Sequence, residues 1–226
     1  FDSGLRLLKV IDKENCNILG SLISWADHPE TLWSKNLLIS SDFPHYVREG
    51  VEKGVFKNDS LVKPGIGGVA VYINGAIGGL MCTHPSLTVA DPVTGREYSE
   101  PSFEKAEAQG KALALLALNA MDKPMEEIDT AGIALMTRTI FLPVDNKLFQ
   151  LATAIGTLDR GTSGWMKMRS EVSAFNIGPL SFVTIPGEIY PEIVNGGVEA
   201  PEGGDFAIDP METPPIREMM KGKYKF

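Results

Sequence analysis

The feature that most narrows the choice of fold is the run VAVYIN at residues 69–74, apolar at nearly every position and emptying at once into the glycine-rich stretch from Gly75 to Gly79. A run of this length and uniform hydrophobicity is of the kind that α/β proteins bury inside a sheet. A buried strand feeding a tight loop is therefore expected here.

Around that strand the signals alternate. Residues 4–11 and 18–25 are short β-prone runs separated by Asp12, Lys13, Glu14 and Asn15, which predicts a hairpin. Ser41 and Asp42 offer N-cap oxygens, Pro44 suits a first helical turn, and Tyr46, Val47 and Val51 recur at helical spacing up to Gly54, so a helix is expected over 44–53. Ser102 precedes the strongest helix signal in the chain, residues 103–121, rich in Ala, Leu, Glu and Lys. Further strands are expected over 128–141 and 172–185, the second broken by turn residues at 176–179, with a polar, glycine-containing stretch at 158–164 ahead of it. Residues 85–101 carry Pro, Asp, Thr and Gly without periodicity and read as a long surface loop of the kind that borders a site. The expected fold class is mixed α/β, with strands alternating with helices around a mixed sheet in a single domain over 1–226. The first residue, Phe1, and the β-prone basic and aromatic end at 223–226 suggest a domain truncated at both ends.

Composition excludes several classes. With 226 residues, 43% of them hydrophobic and 22% charged, the chain can bury a sizeable core. A net charge of -8, with only a short basic run interleaved with acids at 217–225, argues against any nucleic-acid partner, because phosphate contacts need clustered Lys and Arg. No apolar run approaches the roughly 20 residues of a transmembrane segment, and no signal peptide lies within the chain. The two cysteines, Cys16 and Cys82, lack CxxC spacing, which excludes zinc-ribbon and thioredoxin readings. They are free thiols or, in an oxidising compartment, one bridge.

Few residues can carry chemistry. Of three histidines, His28 follows the apolar run LGSLISWAD and precedes Pro29, at a strand end that suits either a metal ligand or a hydrogen-bonded structural histidine. Glu188 follows Pro186 and Gly187 after the strand at 181–185 and precedes a helical stretch at 189–194. A helix N-terminus there favours its ionised form, as metal ligand or as cap. His45 starts the first expected helix and reads as a solvated residue. Gly65-Ile66-Gly67-Gly68 precedes a strand instead of following one, the wrong order for a dinucleotide fingerprint, and Ser163 lacks a GxSxG elbow.

The run SWADHPET at 24–31 resembles the signature of the neutral/alkaline non-lysosomal ceramidase family, in which an aromatic residue, a small residue and a spacer precede a zinc-binding histidine. Trp25, Ala26, His28 and Pro29 match, while Ser24 stands where Asn is usual and Glu30 is an extra residue before Thr31. NLLISSDFPHY at 36–46, VAVYINGAIGG at 69–79 and FVTIPGEIYPE at 182–192 resemble further segments of that family, in the same order. The resemblance implies that the chain is the central part of an N-terminal catalytic domain and that His28 and Glu188 are zinc ligands. It implies hydrolysis of an amide bond in a lipid or N-acyl substrate by metal-activated water, and a secreted or periplasmic protein. It also implies that a further histidine and a tyrosine, from parts of the parent domain outside this chain, complete the metal site, since catalytic zinc normally takes three protein ligands.

The family's turn of the form Asn-Ala-Gly-Asp-x-Ser-Pro, laid over residues 74–81 with two residues to spare, puts Gly79 in place of the Asp and Met81 in place of the active-site Ser. A thioether cannot donate a proton as a hydroxyl can, although Cys82, Thr83 and His84 follow directly. A second reading is therefore a non-catalytic relative that keeps the fold and binds a ligand in the old cleft.

Overall fold

A computed structural model describes residues 4–78, 83–158 and 167–190. They fall into two compact units, Phe1–Met125 and Glu126–Phe226.

The first unit opens with an antiparallel hairpin of β1 (Arg6–Ile11) and β2 (Ile18–Trp25). Its turn is organised by Asp12, whose carboxylate accepts the Glu14 N–H at 2.8 Å and the Asn15 side-chain amide at 3.1 Å. Cys16 is exposed in that turn at φ 60, and its candidate bridge partner Cys82 lies outside the described residues.

Helix α1 (Phe43–Lys53) follows with Asp42 as its N-cap and Pro44 in its first turn. Phe43, Val47 and Val51 are fully buried, four residues apart, and form its core-facing stripe. The chain then makes a hairpin absent from the sequence reading, β3 (Gly54–Lys57) with β4 (Ser60–Pro64), before β5 (Val69–Asn74). Strand β5 pairs parallel with β2, from Gly20 opposite Val69 to Trp25 opposite Asn74, giving the order β1-β2-β5.

Burial of β5 is less complete than its sequence suggests. Ala70 is buried, but Val69 and Val71, which point to the opposite face of the strand, are 64% and 48% exposed, and β5 also forms an edge of this sheet. An edge strand carries unpaired backbone groups. Two side chains of α1 take them up: Glu52 Oε1 accepts the Ala70 N–H at 2.8 Å, and Arg48 Nε donates to the Ala70 carbonyl at 3.1 Å.

Residues 85–101 are more structured than the surface loop expected. They contain a small hairpin, β6 (Val89–Ala90) with β7 (Glu97–Tyr98), closed by Asp91, which accepts the N–H groups of Val93 and Thr94 at 2.8 and 2.7 Å. Helix α2 (Phe103–Met121) starts at Ser102, whose hydroxyl accepts the Lys105 N–H at 3.1 Å. Lys105 is completely buried and holds the preceding segment to the helix, donating to the carbonyls of Pro85 and Ser99 at 3.2 and 2.9 Å.

The two helices pack closely because glycines face the contact. A Cβ on Gly110 would lie 2.4 Å from Tyr46 Cβ and 2.8 Å from the Phe43 carbonyl oxygen. Phe43 stands edge-on to Trp25 and Tyr72, with ring centroids 6.1 and 5.7 Å away, and so joins helix to sheet.

The second unit contains β8 (Ile133–Pro143), α3 (Lys147–Ala154), β9 (Lys167–Ile177) and β10 (Leu180–Val183), with the strands in one antiparallel sheet of order β10-β9-β8. The expected hairpin break falls between β9 and β10, where Gly178 adopts φ 58. Helix α3, capped by Asn146, was not anticipated. The helical stretch expected at 189–194 is not formed at Ile189 and Tyr190, and its remainder lies outside the described residues. The mixed α/β class holds. Among the described residues no helix is long and apolar enough to cross a membrane.

Candidate functional site

Strands β2 and β5 are the one parallel pair among the described residues, and their carboxyl ends finish side by side. The Gly75 N–H donates to the Trp25 carbonyl at 3.0 Å, and the Tyr72 hydroxyl reaches the same oxygen at 3.2 Å. A Cβ on Gly75 would come within 3.2 Å of Ala26 Cβ, so a small residue suits this close approach of the two turns. Loops that leave the carboxyl ends of parallel strands are where α/β folds collect their chemistry. Here the loop after β2 carries Asp27 and His28, and the segment after β5 leads to Thr83 and His84.

A buried polar cluster sits directly against these loops. Gln109, from the core side of α2, donates through Nε2 to Asp27 Oδ2 at 2.6 Å. Its Oε1 accepts the hydroxyls of Thr31 and Thr83, each at 2.7 Å, and the Thr83 hydroxyl also lies 3.3 Å from Asp27 Oδ2. Asp27, Thr31 and Gln109 are respectively 7%, 1% and 9% exposed. Burial pushes the Asp27 carboxyl up to about 7, a shift that the hydrogen bonds from Gln109 and Thr83 and the charge of His28 only partly offset. Burial, and then the charge of Asp27, also raises the Tyr72 phenol above its ordinary range.

A second buried carboxylate fixes the outer part of the loop. Asp42 accepts the Phe43 N–H at 2.7 Å and the Leu32 N–H at 2.9 Å, so the residue that caps α1 also ties residues 28–42 back against the core. The loop borders an open cleft of about 460 Å³ lined by Pro29, Glu30, Trp33, Asn36 and Asp42 among others. Leu37, Leu38 and Ile39, on the same loop, are 94%, 65% and 106% exposed. Trp33 meets the His84 ring edge-on at 5.9 Å, and His84 Nδ1 lies 2.7 Å from the Ser86 hydroxyl.

Of the residues singled out from sequence, His28 stands where expected, half-buried just beyond β2 in the first unit. Glu188 is exposed beyond β10, in the second unit. His45 is a surface residue, 3.8 Å from Glu49 on α1. Gly79, Met81, Cys82 and Ser163 lie outside the described residues.

Asp27 and Gln109 were missed. The available signals were a carboxylate next to an apolar strand end and an uncharged polar residue within the Ala-rich and Leu-rich stretch of α2. Among the described residues no group of three or more His, Cys, Asp or Glu side chains gathers as a metal site. The imidazole of His28 and the carboxylate of Glu188 are each of a donor type that catalytic zinc takes.

The first unit thus defines an α/β layer with a polar cluster at the carboxyl ends of its parallel strands. No protein-family model matches the chain, and no curated protein matches it. Solved structures that resemble it include the neutral ceramidase from Pseudomonas aeruginosa, 16% identical with a TM-score of 0.47 over 80% of this chain and 34% of that one. Another is a ceramidase complexed with C2, 16% identical with a TM-score of 0.48 over 80% of this chain and 36% of that one. The chain spans about a third of the length of these structures, and likeness at this level assigns neither family nor activity.

Proposed function

We propose that the chain is part of a zinc-dependent hydrolase that cleaves an amide bond in a lipid or N-acyl substrate. The observation that carries this reading is the position of His28, on the turn leaving β2 and beside the turn leaving β5, within a run of sequence that resembles the ceramidase signature. His28 and Glu188 would hold the metal, with the remaining donors supplied by other parts of the parent protein. Bound zinc would supply a water acidic enough to ionise near neutral pH.

The chain's own residues do the rest of the work. Asp42 and the Asp27 cluster keep the His28 loop in place, and the exposed Leu37, Leu38 and Ile39 offer apolar surface to an acyl chain near the cleft. The same reading places the protein in a secreted or periplasmic compartment, where such a lipid would be met.

The test is hydrolysis of a panel of N-acyl substrates by the full-length protein, with and without chelator. Turnover is expected to vanish with chelator, to return with added zinc, and to fall at least a hundredfold in His28→Ala, on the order expected for loss of a metal ligand. Turnover indifferent to chelator would rule the proposal out. Tight binding without turnover of any substrate would instead favour the non-catalytic binding module, the reading that Gly79 and Met81 motivate.

A further inference from the structure

We propose that Gln109 is a positioning residue for this site: from α2 it clips together the loop that leaves β2 and the segment that follows β5, and so holds the His28-bearing turn in one conformation. The inference rests on the reading of His28 as a ligand. Its geometric part stands on the hydrogen bonds alone.

One side-chain amide serves three partners from two separate stretches of chain. Oε1 accepts Thr31 and Thr83, while Nε2 donates to Asp27, all at 2.6–2.7 Å. Asp27 precedes His28 directly and Thr31 follows three positions later, so both flanks of the histidine are tied to the same amide. Thr83 ties in the segment beyond β5. A purely structural requirement at this position would be met more simply by another Ala or Leu, of the kind that α2 buries at Ala106, Leu113, Ala117 and Leu118. Burying an amide, a carboxyl and hydroxyl groups is costly unless every group is satisfied. What a satisfied network provides in return is a single geometry, because hydrogen bonds fix angles that apolar contacts leave free. Residues that orient a metal-binding histidine from behind act in this way.

The experiment compares the full-length wild type with Gln109→Met, which keeps the volume and removes all three contacts, and with Thr83→Val, which removes one arm. Three readouts are taken on the folded proteins: zinc affinity by chelator competition, the visible absorption of the cobalt-substituted forms, and backbone amide exchange. Gln109→Met is expected to bind zinc about 10- to 100-fold more weakly. Its cobalt spectrum should change, and exchange should quicken over residues 26–31 and 83–86 while β1 and α1 keep their protection. Thr83→Val should show the same changes in smaller measure, and it decides the matter should Gln109→Met fail to fold.

Zinc affinity within twofold of wild type and an unaltered cobalt spectrum, alongside a lowered unfolding midpoint, would reduce Gln109 to a core residue and overturn the proposal. Should the wild type take up no zinc, the metal reading fails by itself. The exchange pattern then still decides, local quickening supporting the clip and its absence refuting it.

Discussion

Two buried aspartates in the first unit end on opposite sides of the ordinary carboxylate value, although burial pushes both upward. Desolvation dominates at Asp27, where the hydrogen bonds of Gln109 and Thr83 and the nearby His28 offset it only in part and the Asp42 carboxylate adds to it, so its carboxyl is pushed up to about 7 in the folded protein against an ordinary 3.8. Between those values the unfolded chain has released its proton while the folded chain retains it, so stability falls as pH rises. The slope is up to about 1.36 kcal/mol per pH unit, on the order of 4 kcal/mol across the whole interval. Asp27→Asn should therefore flatten the pH dependence of the metal-free protein and raise its stability at pH 8. Denaturant unfolding at a series of pH values checks this, and parallel curves for variant and wild type would contradict it.

Asp91 is just as buried, and burial alone would raise it. The N–H groups of Thr94 and Val93 and the Lys111 ammonium at 3.6 Å outweigh that and hold it below the usual carboxylate range. Its contribution is complete above the unfolded value and is lost as pH falls through the folded one. Asp91→Asn should cost about 1–3 kcal/mol at pH 7, with the deficit closing in acid.

The packing of α1 on α2 sets two effects of known size against each other. Replacing Gly110 by Ala gains about 1 kcal/mol of helix propensity. The new methyl, however, would meet Tyr46 Cβ at 2.4 Å and a backbone oxygen at 2.8 Å, neither of which is the flexible tip of a side chain. Overpacking of this kind costs about 1–3 kcal/mol or more, so Gly110→Ala is expected to lower the unfolding free energy by about 1–2 kcal/mol net. A rise in stability would mean that the helices can separate without loss.

The same scale shows which elements a sequence reveals. The β1–β2 hairpin and the two long helices announce themselves through local chemistry, in the turn residues 12–15 and the caps Asp42 and Ser102. The β3–β4 hairpin had a local signal too, an Asn-Asp pair with Asn58 at φ 52, but its strands are short. The β6–β7 hairpin depends on the Asp91 side chain standing in for backbone, which no hydrophobic pattern reports. The parallel pairing of β2 with β5, and with it the position of the site, is non-local and has no counterpart in any short window.

Across the whole molecule the same division holds. The place of His28 just beyond a strand was legible because the apolar run of β2 stops there, whereas Gln109 joins Asp27 from 82 residues away. In the second unit, β8 alternates apolar residues onto both faces of its sheet. Leu135 and Met136, neighbours that point to opposite sides, are 71% and 76% exposed.

The proposed function turns on His28 and Glu188 each serving as a zinc ligand. The most direct test is the zinc content of the full-length protein after exhaustive dialysis, for the wild type, His28→Ala and Glu188→Gln. About one zinc per chain in the wild type and a loss of most of it in each variant is the expected result for a site of this ligand type. Zinc retained undiminished in both variants would contradict the two ligand assignments and the hydrolase built on them.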